Sequence, residues 1–130
     1  MEKKLKGFLI DPINGTAGVV DFVDKLDVLY KLLNCDCIDI TVRKVGKFEY
    51  DIVCDDEGLL KDKVIPTAFN ENNEPALVGN LLFCNHDDEG NLASISDEQL
   101  QELEAHLGQR VYEYGDSVRT VRCVVGMQFC

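Results

Sequence analysis

The stretch CIDITVRKVGKFEYDIVC, residues 37–54, contains two alternating segments on either side of a glycine-containing turn. In the first segment, Ile38, Ile40 and Val42 alternate with polar residues, which is the pattern of a strand with one buried face. The second segment, FEYDIVC at residues 48–54, alternates again after the turn KVGK. These features predict two antiparallel strands, and therefore a sheet in which neighbours along the chain pair with each other.

Hydrophobic patterns upstream of this stretch add further elements. Residues 5–10 and 17–23 are typical of two strands, and the Asn-Gly dipeptide between them favours a hairpin turn. Residues 24–34 repeat leucine and tyrosine at helical spacing. Asp24 is placed to accept backbone N–H groups at the start of this helix. The sequence therefore predicts a strand hairpin and a helix ahead of the first stretch.

The downstream half predicts one strand, one helix and a strand-forming tail. Residues 59–76 contain two prolines and several asparagines, which is typical of a loop, and residues 77–84 read as an apolar strand. Residues 95–110 begin with a capping box formed by Ser96 and Gln99, so a helix is expected there. The tail alternates on both sides of GDS and predicts one or two strands.

In chain order, these elements predict an α+β fold: a mostly antiparallel sheet with two helices, in the order β-β-α-β-β-β-α-β. No linker or low-complexity segment interrupts the sequence, so a single domain covering residues 1–130 is expected. Within it, residues 111–130 form a C-terminal strand extension.

Charge is distributed unevenly along the chain, whose net charge is −11. Residues 48–106 hold 15 acidic residues and 2 lysines, a net charge of −13. Binding to DNA or RNA depends on Lys and Arg that displace counterions, so we expect no direct nucleic-acid binding. The start of the chain lacks the apolar core of a signal peptide, and no apolar run is long enough to span a bilayer. We therefore expect a cytoplasmic protein without a membrane partner.

The six cysteines show no CxxC pair and no zinc-finger spacing. Most lie in or beside apolar segments, where a free thiol behaves as a small hydrophobic side chain. We therefore expect reduced thiols, no structural metal and no cofactor.

Two acidic runs, CDDEG at residues 54–58 and DDEG at residues 87–90, each follow a predicted strand. Consecutive carboxylates in a turn point in different directions, whereas a calcium loop of the EF-hand type places them at alternating positions. Asp and Gly are also ordinary turn residues. Solvated turns are the favoured interpretation, and a metal site shared between the two runs is the alternative.

No nucleophile motif of the GxSxG type and no glycine-rich phosphate loop is present. The chain has two histidines, His86 and His106, and Cys84 lies two residues before His86. Residues two apart on a strand share a face, so Cys84 and His86 could be in contact. This pair is the basis for a hydrolase hypothesis, although nucleophilic catalysis also requires an orienting group and an oxyanion hole.

Basic residues lie in two predicted strands near aromatic side chains. An arginine with an aromatic neighbour can bind a phosphate and stack on a base. The candidate ligand-binding residues on this basis are Arg43, Lys47, Tyr112, Arg119 and Arg122. The alternative is that these charges protect a solvated strand edge. Arg119 and Arg122 are an odd number of residues apart, so a regular strand would place them on opposite faces.

Five segments in a fixed order resemble an uncharacterised family, domain-of-unknown-function family 3846. They are FLIDP (8–12), LDVLYKLLNCDCIDI (26–40), DIVCDDEGLL (51–60), ALVGNLLFC (76–84) and LASISDEQLQEL (92–103). The resemblance covers residues 5 to 107, and it implies a small protein encoded by phages, plasmids or conjugative elements. Family members often carry Asn-Arg-Ala after the acidic turn, where this chain reads IPTAFN without an arginine. The family has no assigned activity.

Three functional hypotheses follow. The first is a non-enzymatic binding protein of a phage or mobile element that counters host defence by sequestering a small nucleotide signal, with a homo-oligomer interface as the natural pocket. The second is an acidic mimic of DNA that inhibits a host DNA-binding protein. The third is a small hydrolase. In each case the expected location is the host cytoplasm.

Overall fold

The computed structural model describes residues 3–56, 65–114 and 117–129. Two helices, α1 (Leu26–Leu33) and α2 (Asp97–Ala105), accompany ten strands within these residues. The strands are β1 (Lys4–Asp11), β2 (Thr16–Val23), β3 (Ile38–Val45), β4 (Phe48–Asp55), β5 (Pro66–Asn70), β6 (Pro75–Val78), β7 (Leu81–His86), β8 (Leu92–Ala93), β9 (Leu107–Tyr114) and β10 (Ser117–Phe129).

The strands form one sheet in the order β2-β1-β7-β4-β3-β10-β5-β6, with β8 paired to β7 and β9 paired to β10. Every pairing is antiparallel except that of β10 with β5. Two helices on a mostly antiparallel sheet confirm the predicted α+β class. Neither described helix has the length and apolar character needed to cross a membrane.

The predicted order of elements was wrong in the segment expected to be a loop, in residues 77–84, which are divided between β6 and β7, and at β8, which was not predicted. Residues 59–76 contain β5 and the start of β6, while residues 57–64 lie outside the described part. The prolines do not interrupt these strands because Pro66 and Pro75 are their first residues, where a missing N–H is tolerated. The three middle residues of β5 are buried, and Ala68 is fully enclosed.

The sheet is buried on both faces at its centre. On one face, α2 covers a core that includes Phe8, Ile52 and Phe83. On the other, α1 covers a second core that includes Val53 and Leu82. We call these the α2 face and the α1 face. Both β4 and β7 contribute to the two cores, and in β7 this produces the continuous apolar run LLFC rather than a strict alternation.

The short strand β8 fills the space between β1 and β7 at one end of the sheet. His86 pairs with Leu92, and the next residues bond to the first strand: Lys6 N–H donates to Ser94 Oγ at 3.0 Å and Ile95 N–H donates to Lys6 O at 2.8 Å. The end of β7, which carries His86, is therefore held in place by its neighbours β1, β4 and β8.

A polar network joins the first turn of α2 to the same strand end. The predicted capping box is present, with Gln99 N–H donating to Ser96 Oγ at 3.1 Å. Gln99 Nε2 also donates to Glu49 O at 3.0 Å and to Asn85 Oδ1 at 2.8 Å. Tyr50 donates its hydroxyl to Gln99 O at 2.6 Å. The residue before His86 is thus held by hydrogen bonds as well as by the strand ladder.

Candidate functional site

A buried carboxylate holds an exposed imidazole at the end of β7. Asp51 Oδ2 lies 2.6 Å from His86 Nδ1, and the Asp51 residue is only 6% exposed. The strand register produces this contact: Asp51 pairs with Cys84, and His86 lies two residues further on the same face. The side chain of His86 remains 61% exposed. We call this arrangement the Asp51–His86 pair.

The carboxylate changes the proton equilibrium of the ring. The hydrogen bond that His86 donates to Asp51, and after it the negative charge of Asp51, raise the pKa of His86 above its ordinary value of 6.5. The ring is therefore more often an imidazolium near neutral pH than a free histidine would be. A ring fixed through Nδ1 and exposed to solvent can donate a hydrogen bond to an anion or exchange a proton with a bound ligand.

The Asp51–His86 pair predicts a measurable titration. In an NMR titration, the pKa of His86 is expected above 6.5, and Asp51→Asn is expected to lower it. Since the folded-state pKa is raised, the pair stabilises the fold below about pH 6.5, and this contribution disappears as the pH rises through the raised pKa. Equal His86 pKa values in the wild type and in Asp51→Asn would show that the pair does not form.

Cys84 shares the strand face with His86 but not its hydrogen bond. The cysteine is fully buried, and burial, together with the charges of Asp51 and Asp24, raises the pKa of Cys84 to about 12. Nucleophilic attack requires the thiolate, which is scarce at neutral pH when the pKa is this high. Asp51, which the sequence did not single out, takes the position beside His86 that the hydrolase hypothesis gave to Cys84.

Thiol labelling distinguishes buried from accessible cysteines. In the native protein at neutral pH, iodoacetamide is expected to modify the exposed Cys37 and to leave Cys84 unmodified, as read by mass spectrometry of peptides. In denaturant both should react, which provides the control. Rapid native modification of Cys84 would contradict the enclosed, protonated thiol and would restore the Cys84–His86 hypothesis.

Asp24 lies near the same site and has a different role from the one predicted. It is not the N-cap of α1: that position is Lys25, without a side-chain capping bond. Asp24 Oδ2 instead accepts the N–H of Leu92 at 3.1 Å, which anchors β8. A shallow depression of about 220 Å³ adjoins it, and its lining residues are Lys3, Leu5, Val23, Asp24 and Lys25. Two lysines therefore border the end of the sheet that carries His86.

An apolar surface lies beside the Asp51–His86 pair on the same face. In the register of β3 with β4, Val42 is opposite Asp51 and Ile40 is opposite Val53, so both side chains are on the α1 face. They are 36% and 47% exposed, because α1 covers only the neighbouring strands. We call Ile40 and Val42 the β3 shelf.

The second acidic run forms a turn. The Asp87 carboxylate accepts the N–H groups of Glu89 and Asn91, both at 2.9 Å, and Gly90 has a φ of +85°. These backbone bonds, with a smaller effect of the charge on Lys3, lower the pKa of Asp87. The first acidic run is described only as far as Asp56. Among the described residues, no three His, Cys, Asp or Glu side chains are grouped to hold a metal ion.

The structure places Arg43 on the opposite face from the Asp51–His86 pair. Its cross-strand partner is Tyr50, which belongs to the α2-face core. The guanidinium donates to Thr41 Oγ1 and to Val42 O, and it lies 4.5 Å from the centre of the Phe129 ring. Its buried Nε has no hydrogen-bond partner among the described residues. The hydrogen bonds of the Arg43 side chain are thus made to residues of its own strand, β3.

The other predicted ligand-binding residues are spread along the sheet. Lys47 lies in the turn between β3 and β4, and its Nζ is 4.0 Å from Glu102 Oε2. Tyr112 and Arg119 are directly opposite each other in the β9–β10 ladder, and their side chains lie outside the described part. Arg122 is half-buried and pairs with Gln109.

Arg43 and Arg122 are well separated. Arg43 pairs with Phe129, and Arg122 precedes Phe129 by seven residues on β10, which is a distance of about 20 Å along a strand. The structure therefore brings Tyr112 and Arg119 together in register but does not gather all five residues around one pocket. Their role in binding stays a prediction.

Comparison with known proteins identifies a family whose function is unknown. The family model described as a domain of unknown function, DUF3846, matches residues 5–108. The match covers the chain from β1 to the start of β9, and so includes the Asp51–His86 pair and the β3 shelf. The chain has no significant match among curated proteins or among solved structures.

Proposed function

The chain belongs to the DUF3846 family, and from this premise we propose that it is a non-enzymatic binding protein for a small, anionic, nucleotide-like ligand. The observation that carries the proposal is the Asp51–His86 pair beside the β3 shelf. Both features lie on the α1 face and within the matched residues.

The Asp51–His86 pair accounts for the anionic part of the ligand. The hydrogen bond from His86 Nδ1 to Asp51 Oδ2, at 2.6 Å, fixes the imidazole ring and favours its charged form. His86 therefore presents an oriented cationic donor to solvent. A charge-assisted hydrogen bond of this type is stronger than one between two neutral groups. Lys3 and Lys25, around the neighbouring depression, partly offset the negative charges of Asp24, Asp87 and Asp88 at the same end of the sheet.

The β3 shelf accounts for the apolar part. Ile40 and Val42 are exposed side by side on one strand, next to the buried residues Val53 and Asp51. A flat ring such as a nucleobase can cover such a surface and remove it from water. An anionic group at one end and a flat apolar group at the other are the features of a nucleotide.

Binding is favoured over turnover because the available nucleophile is inactive in the folded protein. Cys84 is enclosed, and its pKa of about 12 keeps it protonated. The resemblance to proteins of phages and mobile elements supports a role in counter-defence, in which the chain sequesters a nucleotide immune signal in the host cytoplasm. A homo-oligomer would enclose the ligand more completely than one copy does.

Isothermal titration against mononucleotides, cyclic nucleotides and ADP-ribose derivatives tests the proposal. His86→Ala is expected to weaken binding at least about 10-fold, the equivalent of one charge-assisted hydrogen bond. His106→Gln, at the chain's other histidine, is the matched control and should bind as the wild type does. Ile40→Asp should also weaken binding, whereas Val111→Asp, at an exposed valine on β9, should not.

The same titration separates the two candidate sites. If Arg43→Ala abolishes binding and His86→Ala does not, the ligand is bound by the basic residues that the sequence predicted. No binding tighter than millimolar across the panel would overturn the proposed function.

Hydrolysis is the second candidate, because a buried carboxylate that orients a histidine is also the arrangement of a general base. In this version His86 would activate water without Cys84. Incubation of each bound nucleotide, followed by chromatography, distinguishes the candidates: unchanged nucleotide supports binding alone, while product formation that Asp51→Asn abolishes supports hydrolysis.

Inhibition of a host DNA-binding protein by mimicry of DNA remains an alternative proposal. The net charge of −13 in residues 48–106 supports it. Mimicry requires carboxylates spaced like phosphates along one surface. Salt-sensitive capture of a DNA-binding protein, competed by duplex DNA, would favour this function over nucleotide binding.

A further inference from the structure

The outer edge of β2 is a long, regular strand edge. All eight residues of β2 pair with β1 in unbroken register, from Thr16 opposite Asp11 to Val23 opposite Lys4. Within the described residues, no other strand pairs with β2. Strand β10 approaches this hairpin at its turn, where Thr120 O lies near Gly15. The edge therefore presents regularly spaced backbone donors and acceptors.

Two other open edges of the sheet, those of β6 and β3, are protected against pairing. Strand β6 at the opposite end is four residues long and begins with Pro75. In the described part of the chain, strand β3 has no partner from Ile38 to Val42 on its β10 side, but its backbone is occupied: the Asp39 carboxylate accepts Ile40 N–H at 2.9 Å, and Arg43 donates to Val42 O at 3.0 Å. Proline, short length and charged side chains are the usual protections of an edge.

Strand β2 is less protected than these two edges. Its sequence, TAGVVDFV, contains no proline and no lysine, and Asp21 is its single charged residue. Val19 is 45% exposed on this strand. A regular edge of eight residues with only one charge would be a hazard for aggregation, unless a defined partner pairs with it.

The charge around this edge permits a second copy of the chain as that partner. Residues 3–25 hold four lysines and three aspartates, a net charge of +1, whereas residues 48–106 have a net charge of −13. Two copies that meet at β2 therefore approach through a part of the molecule that is not strongly acidic. Contact through surfaces formed by residues 48–106 would instead oppose two acidic segments.

We propose that β2 pairs antiparallel with β2 of a second copy, about a two-fold axis centred on Val19. A two-fold axis perpendicular to the sheet keeps every residue on its own face, so Val19 lies opposite the second Val19 and Asp21 lies opposite Ala17. The exposed valines form a cross-strand apolar pair, and no two charges of the same sign face each other. Centring on Asp21 would instead oppose two carboxylates. The two sheets become one continuous sheet.

Sedimentation equilibrium on the full chain tests the dimer and its register. The wild type is expected to be a dimer at high micromolar concentration. Val19→Lys and Val19→Asp should each raise the dimer dissociation constant at least 10-fold, because each places two like charges opposite one another. An equal mixture of the two variants should recover a heterodimer, since opposite charges then face each other. Val118→Lys, at an exposed valine on β10, is the matched control and should remain dimeric.

Several outcomes would overturn the inference. A monomeric wild type excludes the dimer. A dimer that Val19→Lys does not weaken uses another surface. Loss of the dimer without recovery in the mixture excludes the register centred on Val19. Circular dichroism of each variant checks that its fold is intact, and the result does not depend on whether a nucleotide binds.

Discussion

Replacing Phe83 with alanine is expected to lower the free energy of unfolding by about 3–5 kcal/mol, the usual cost of removing a buried aromatic side chain. Phe83 is fully buried in β7 and lies between Phe8 of β1 and Ile52 of β4 in the strand register. Its ring meets that of Tyr50 edge to face, with centroids 5.9 Å apart and an interplanar angle of 84°. Alanine would lose these contacts and leave a cavity that the central strands cannot close.

Urea denaturation followed by circular dichroism measures this change. Phe129→Ala is the matched control, because that phenylalanine is largely exposed and its main described contact is with the Arg43 guanidinium. An exposed contact of this kind contributes about 0.5–1 kcal/mol, so the control should lose no more than that. Similar losses in the two variants would show that Phe83 is not at the centre of the α2-face core.

Gly46→Ala is expected to destabilise the protein by about 2–3 kcal/mol for two separable reasons. Gly46 has a φ of +61°, and a non-glycine residue in this left-handed region costs about 1–2 kcal/mol. In addition, a Cβ at this position would overlap the side chain of Glu102 on α2, which must then move. The glycine thus permits both the tight β3–β4 turn and the close packing of α2 against it.

Two further variants separate these causes in the same denaturation experiment. Gly90 has a φ of +85° with open space around it, so Gly90→Ala should show the backbone cost alone. In a Glu102→Ala background the overlap disappears, and Gly46→Ala should then cost about as much as Gly90→Ala. If Gly46→Ala remains clearly more costly in that background, a contact other than Glu102 is responsible.

Much of the fold could be predicted because its signals are local. The alternation in residues 37–54 corresponds to β3 and β4, joined at Gly46 and Lys47 as expected, and the capping box at the start of α2 is confirmed. Strands β5 and β6 were missed because proline-containing segments were interpreted as loop. Their strand conformation depends on pairing with β10 and with each other, which short-range patterns do not reveal.

The candidate site could not be predicted in the same way. Asp51 and His86 are separated by 35 residues in sequence, and they meet only because β4 and β7 pair with Asp51 opposite Cys84. Two signals were available: an aspartate within the apolar run FEYDIVC, and a histidine at the end of another. Each is ambiguous by itself, since a strand register is set by the whole sheet. The sequence identified Arg43 as a basic residue, but it did not predict the contacts that Arg43 makes along its own strand.

The interior position of β10 affects when the chain can fold during synthesis. This strand pairs with β3, with β5 and with β9, so it joins segments that a ribosome releases at widely different times. Until it emerges, the backbone of β3 near Val45 and one side of β5 have no neighbour. Sheets built from contacts this distant in sequence fold slowly. The nascent polypeptide therefore completes its sheet only after β10 has been synthesised, up to residue 129.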